Sequence, residues 1–206
     1  MEAEKGILFV ISGPSGAGKG TVIAELLSGD DSLFFSVSVT TRGKRILEQD
    51  GTHYHFISRE AFSELERQGG LLESAEYSGN LYGTPSEPIR RAAEAGRNTL
   101  LDIEVQGAVK LMNKGIPAVF IFVTPPSFSE LEKRLRARGT ESEDVVRTRL
   151  KTAREFEYPM MHRYDYIVLN ETVSEAAETI RAIFRAEINK SGRRRNLIDM
   201  FRDTGA

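Results

Sequence analysis

The residues best suited to chemistry stand near the start of the chain. Gly13-Pro14-Ser15-Gly16-Ala17-Gly18-Lys19 lies between the apolar run Ile7–Ile11 and a helical pattern from Thr21 to Leu27. Glycines at both ends of such a loop permit backbone angles that turn several N–H groups toward one point. The helix N-terminus adds partial positive charge, and Lys19 adds a full charge able to reach the β- and γ-phosphates of a nucleoside triphosphate. The loop reads as a phosphate cradle that accepts ATP or GTP without choosing between them. One position departs from the usual pattern: Gly20 stands where a Ser or Thr hydroxyl commonly ligates Mg²⁺. Thr21 comes next, but one step along a helix turns a side chain by ~100°. Phosphates, water and a carboxylate are then left to hold the metal, and Asp102, ending an apolar run, is the best candidate carboxylate.

A second anion site is written in the stretch Ser38-Val39-Thr40-Thr41-Arg42-Gly43-Lys44-Arg45, followed by Tyr54, Glu73, Tyr82 and Thr84. Two arginines three residues apart can clamp one phosphate in bidentate fashion, and two tyrosine hydroxyls can complete the clamp. No Ser/His/Asp or Cys/His constellation competes, because the chain has no cysteine and His53, His55 and His162 lack metal-ligand partners. Cations below, beside and above two anionic substrates are what phosphoryl transfer needs, since it depends on positioning and charge neutralisation.

The elements that must hold these groups follow from hydropathy. Ile7–Ile11, Thr99–Ile103, Val119–Val123 and Tyr166–Leu169 are continuous apolar runs, as expected of strands buried on both faces. Helical patterns separate them, notably Ser86–Ala95, which predicts a parallel sheet covered by helices on both sides. Two stretches break the alternation. Residues 34–84 contain short β-like pieces (Phe35–Val39 and His53–Ile57) around the polar loop Arg42–Gly51, and predict an insert with its own antiparallel sheet. Residues 126–159 predict a helical lid. In it, Ser127 and Glu130 form a capping box, Phe128–Arg138 ends at Gly139, a second helix starts near Glu143, and neither helix is apolar enough to be core. A last helix, Val173–Lys190, returns to the main body, so the core comprises 1–33, 85–125 and 160–206.

These motifs, in this order, resemble the guanylate kinase family of nucleoside-monophosphate kinases. The resemblance rests on the phosphate loop, on the Ser38–Arg45 segment followed by Gly51–Phe56, and on the block Glu73–Thr84. It continues through Asp102-Ile103-Glu104-Val105-Gln106-Gly107 to the arginine-rich Arg134–Glu141 and a late Asn170. It implies an α/β fold: a P-loop kinase core with a parallel sheet flanked by helices, a small mixed α/β GMP-binding insert and a helical lid. It also implies transfer of the γ-phosphoryl group of ATP to GMP with Mg²⁺ accompanying ATP. At matching positions it implies that Arg42, Arg45, Tyr54 and Tyr82 bind the GMP phosphate, and that Ser38, Glu73, Thr84 and Glu104 contact guanine. Asp102 would sit near metal and phosphates, Asn170 beside adenine, and Arg134, Arg138 and Arg149 over the transferring group. Glu73 suits guanine because an ionised carboxylate can accept from N1–H and the N2 amine together.

Composition sets bounds on the rest. The 206 residues are 40% hydrophobic and 28% charged, enough for one domain with a real core. Lys plus Arg total 28 against 30 acidic residues, so no whole-molecule field draws the chain to nucleic acid or an anionic membrane. The apolar run near the N-terminus is too short for a signal peptide or a membrane span. The expectation is a cytoplasmic monomer or homodimer whose partners are ATP and GMP. A purely protein-binding module of similar fold would be expected to lack the cradle or the acceptor arginines, and this chain has both.

Overall fold

The structure, a computed structural model, describes residues 5–28, 32–46, 48–77, 79–137, 142–194, 198 and 200. In chain order it runs β1 (Leu8–Ser12), α1 (Lys19–Leu27), β2 (Phe34–Phe35), β3 (Val39–Thr40), β4 (His55–Phe56), α2 (Arg59–Arg67), β5 (Leu71–Tyr77) and β6 (Asn80–Pro85). Then follow α3 (Ser86–Glu94), β7 (Thr99–Asp102), α4 (Val105–Asn113), β8 (Val119–Thr124), α5 (Phe128–Ala137), α6 (Glu143–Thr152), β9 (Tyr166–Leu169) and α7 (Val173–Ile188). A π-helical turn, Ala153–Glu157, and a 3₁₀ segment, Tyr158–Arg163, connect α6 to β9.

Five strands form the main sheet in the order β2-β7-β1-β8-β9, every pairing parallel. Alternate residues of β1 explain why its sequence is apolar without a break. Phe9 and Ile11 pack with Val22, Leu26, Ile180 and Phe184 of α1 and α7. Leu8 and Val10 pack on the other face with Ile89 of α3 and Ala108 and Leu111 of α4. Both faces are covered along Leu8–Ile11, which is why this stretch is apolar throughout, while the strand closes on the buried Ser12.

Four strands form a second sheet in the order β4-β3-β6-β5. It differs from the expected antiparallel sheet because β3 and β4 pair in parallel, while β3–β6 and β5–β6 are antiparallel. The boundary also moves: Phe34 and Phe35 pair with Thr99 and Leu100 in the main sheet, so the chain leaves the core after β2 rather than before it. A two-residue strand is too short to show a period, which is why the sequence assigns these residues to the insert.

Above the phosphate loop, α5 and α6 enclose a small core of Leu131, Leu135, Val146 and Ala153. The expectation that these helices are too polar to be core thus needs correction: each contributes a narrow buried stripe and keeps the rest in water. At the start of α5, Ser127 Oγ accepts from the Glu130 N–H at 3.1 Å, which is half of the predicted capping box. The Glu130 carboxylate turns instead to Arg134, 2.9 Å away. Gly139 and Arg138 lie outside the described residues.

Candidate active site

The phosphate loop joins β1 to α1, and its shape depends on residues that contact it from behind. Gly18 takes φ 86° as the residue before α1, and Gly13 takes φ 145°, both in the region L side chains avoid. A Cβ on Gly18 would run into Asn170 Nδ2, and one on Gly13 into the Val123 carbonyl. Asn170 is buried and its Nδ2 donates to the Ala17 carbonyl at 2.7 Å, so this side chain braces the loop. Lys19 Nζ donates to the carbonyls of Gly13 (2.7 Å) and Pro14 (3.4 Å), which holds the ammonium over the loop.

Ser15, Gly16, Gly18, Lys19 and Gly20 of the loop line one cleft together with Ser38, Arg42, Arg45, Tyr54, Glu73, Tyr82, Asp102, Glu104 and Arg149. The predicted donor and acceptor groups, separated by up to 134 residues in the chain, therefore face one space. Thr21 is exposed on α1 and is not among the lining residues, as the helical rotation from Gly20 requires, so the structure does not support it as a metal ligand. Among the described residues no group of three or more His, Cys, Asp or Glu forms a metal site. Asp102 does face the cleft from the end of β7; desolvation raises its pKa, and the nearby Lys19 ammonium lowers it.

The acceptor end is more tightly built than the sequence shows. Arg42 lies in a bidentate ion pair with Glu48, at 2.7 and 3.0 Å, and Glu48 also accepts from the Arg45 backbone N–H at 2.8 Å. Glu48 lines the cleft and was missed as a site residue; its place six residues after Arg42 in the same polar loop was the available clue. The pair raises the Arg42 pKa and lowers that of Glu48. The Arg42 guanidinium lies 5.6 Å from the Tyr54 ring centre, and Tyr54 and Tyr82 meet edge to face at 5.8 Å. Burial raises the Tyr54 phenol, so it stays a hydrogen-bond donor at neutral pH.

Deeper in, Glu73 is 5% exposed and accepts from Thr84 Oγ1 at 2.7 Å. Thr84 thus reaches the cleft through Glu73 rather than by lining it. Burial pushes the Glu73 carboxyl up, while the Thr84 bond and the cations Lys110 and Lys114 draw it back; Glu104 opposes them. Glu104, at the start of α4, has a buried Oε2 with no hydrogen-bond partner among the described residues.

From α6, Arg149 Nη1 donates to Ser15 Oγ of the Gly-rich loop at 3.0 Å. Arg134 lies further out, bonded to Glu130 and to the Asn170 carbonyl at 3.0 Å, and does not line the cleft. Glu157 was also missed. It ends the π-helical turn, is 4% exposed, and its carboxyl is pushed up to about 7 by burial and by Glu104, against the pull of Lys19 and Arg149. A single extra residue in a helical turn leaves no mark in a hydropathy pattern, so nothing in the sequence singled out this carboxyl.

The arrangement can hold two phosphorylated ligands end to end, one in the loop and one against the arginine–tyrosine clamp. A family model described as guanylate kinase matches residues 5–187. A guanylate kinase from Desulfitobacterium hafniense is 48% identical over 188 residues, covering 91% of this chain and 93% of that one. One from Streptococcus thermophilus is 50% identical over 186 residues, covering 90% and 88%. A crystal structure of guanylate kinase from Anaplasma phagocytophilum superposes with a TM-score of 0.76 at 38% identity, over 92% of this chain and 90% of that chain.

Proposed function

The chain belongs to the guanylate kinase family and is an ATP:GMP phosphotransferase, and from that premise we propose how its cleft divides the work. ATP lies with its phosphates in the loop Gly13–Thr21 under Lys19, with Arg134 and Asn170 toward its nucleoside end. GMP lies with its phosphate against Arg42, Arg45, Tyr54 and Tyr82 and its base against Glu73, Ser38 and Glu104. An oxygen of the GMP phosphate attacks the γ-phosphorus in line, the bond to the β–γ bridging oxygen breaks, and that oxygen leaves with ADP. Lys19 and Arg149 neutralise charge on the moving group from below and above. The observation that carries this reading is the convergence of loop, clamp and buried Glu73–Thr84 pair on one cleft.

Arg42 is engaged by Glu48 across the space the GMP phosphate would take. A phosphate presents the same pair of oxygens to the guanidinium, so GMP enters by exchanging one bidentate anion for another. Asp102 fits a Mg²⁺ held mainly by nucleotide phosphates and water, which is how this ion is commonly bound beside one or two carboxylates. When bound, Mg²⁺ would draw charge from the β- and γ-phosphate oxygens. The second sheet and the α5–α6 pair act as the moving parts of the domain, closing over the core to keep water from the reacting phosphate. One chain contains every group named, which suits a monomer or a homodimer with a complete site in each subunit. The work belongs in the cytoplasm, where both nucleotides are present.

Base recognition is the sharpest test. Glu73→Gln keeps the shape of the side chain but replaces one acceptor with an NH₂ that faces the guanine donors. It should lower kcat/KM for GMP by ~10² or more while KM for ATP stays near the parent value, because sites built on required hydrogen bonds discriminate strongly. Unchanged GMP kinetics would remove Glu73 from base recognition.

A further inference from the structure

Strand β5 is the edge of the second sheet, paired only with β6, and its pairing is irregular where Glu73 stands. Leu71 is opposite Pro85 and Glu73 is opposite Thr84, so two steps on β5 match one on β6 and Leu72 is the extra residue of a bulge. Bulges re-aim side chains and leave backbone groups without a strand partner. Here a helix takes over. Lys114 Nζ donates to the Leu72 carbonyl at 3.0 Å, and Lys110 Nζ donates to the Ser74 carbonyl, so the residues on both sides of Glu73 are held from α4. Gly107, Lys110 and Lys114 share one face of that helix by their spacing of three and four. At Gly107 the same face comes up against the carboxylate itself, since a Cβ there would lie 2.5 Å from Glu73 Oε2 and force that side chain to shift.

We propose that Lys110 and Lys114 are positioning residues for base recognition: they hold the bulged edge of β5 by its carbonyls and thereby fix where the Glu73 carboxylate stands. This rests on the reading of Glu73 as the guanine-binding group. The two lysines also act on the charge of Glu73. The groups that face it are Thr84 from β6, Lys110 and Lys114 from α4, and Glu104 at the start of α4. Burial and Glu104 favour the neutral carboxyl, and the Thr84 bond and the lysines favour the carboxylate. Without the lysines Glu73 protonates at higher pH, and a protonated carboxyl has lost an acceptor that guanine needs. Both lysines are exposed, so replacing them opens no cavity in the core.

The test uses the full chain with Lys110→Met and Lys114→Met combined, assayed with GMP and with ATP from pH 6 to 9, beside Glu73→Gln. KM for GMP should rise roughly tenfold, the order expected when charged hydrogen bonds are lost. KM for ATP and the unfolding temperature should stay at the parent values. The acid limb of kcat/KM for GMP should move to higher pH, and arginine at both positions should restore it. A parent-like KM for GMP and an unmoved acid limb, with Glu73→Gln impaired, would overturn the proposal while leaving the guanine reading intact. Equal losses for ATP and GMP with a lowered unfolding temperature would reduce the lysines to a structural clip and overturn it too. If Glu73→Gln itself uses GMP normally, the premise falls and the proposal with it.

Discussion

Single side chains in this cleft are held by partners that local sequence does not display. The place of Lys19 beside the loop was legible because the loop is contiguous, and its Nζ sits over the loop on the Gly13 and Pro14 carbonyls. Its charge matters most where negative charge gathers between donor and acceptor. Lys19→Ala should therefore cut kcat by roughly 10²–10³, the loss seen when one preorganised charge-stabilising donor is removed from an active site. Circular dichroism of the variant should match the parent, since Lys19 is not part of the core. More than half the parent turnover in a steady-state assay would show that Lys19 does not stabilise the transferring group. Glu48, by contrast, left only its place in the polar loop as a clue, and Glu157 left none. One is defined by an ion pair to Arg42 and the other by burial, and neither property belongs to a residue alone.

At the scale of elements, β1, β7 and β8 were readable because burial on both faces forces continuous apolar runs; the edge strand β9 carries the same pattern but is not buried on both faces, since Ile167 and Leu169 are exposed. The β2 strand, the bulge at Leu72 and the π-helical turn were not, since each spans too few residues to carry a period. The lysine clips on β5 join residues 36 and 42 apart in the chain, beyond any local pattern. The π-helical turn has a measurable consequence. It buries Glu157, whose carboxyl has its pKa raised from 4.5 to about 7. Below the unfolded value both states are protonated and the fold keeps its full stability. As pH rises through the window from 4.5 to 7 the unfolded chain ionises first, and stability falls. Glu157→Gln cannot ionise, so relative to the parent it should gain roughly 3 kcal/mol across that window, read from denaturant unfolding of the nucleotide-free protein. Parallel pH profiles for the two proteins would mean that Glu157 is not held neutral by its surroundings.

At the scale of the whole molecule, the chain places the Gly-rich loop, the Arg42, Arg45, Tyr54 and Tyr82 cluster and the buried Glu73 around one space, with cations contributed from α1, the segment between β3 and β4, and α6. Among the described residues no helix is long and apolar enough to cross a membrane. Adenine presents an unprotonated N1 where guanine presents a donor, so AMP in this cleft would set a lone pair against the Glu73 carboxylate, which would keep its bond from Thr84 but gain no donor at N1. The most direct test is ADP release from ATP and Mg²⁺ by the unaltered protein, measured with GMP, AMP, CMP and UMP as acceptors. The arrangement predicts rapid turnover with GMP and kcat/KM lower by ~10⁴ with AMP, in line with other sites that require hydrogen bonds from their substrate. Equal turnover of AMP and GMP would contradict it.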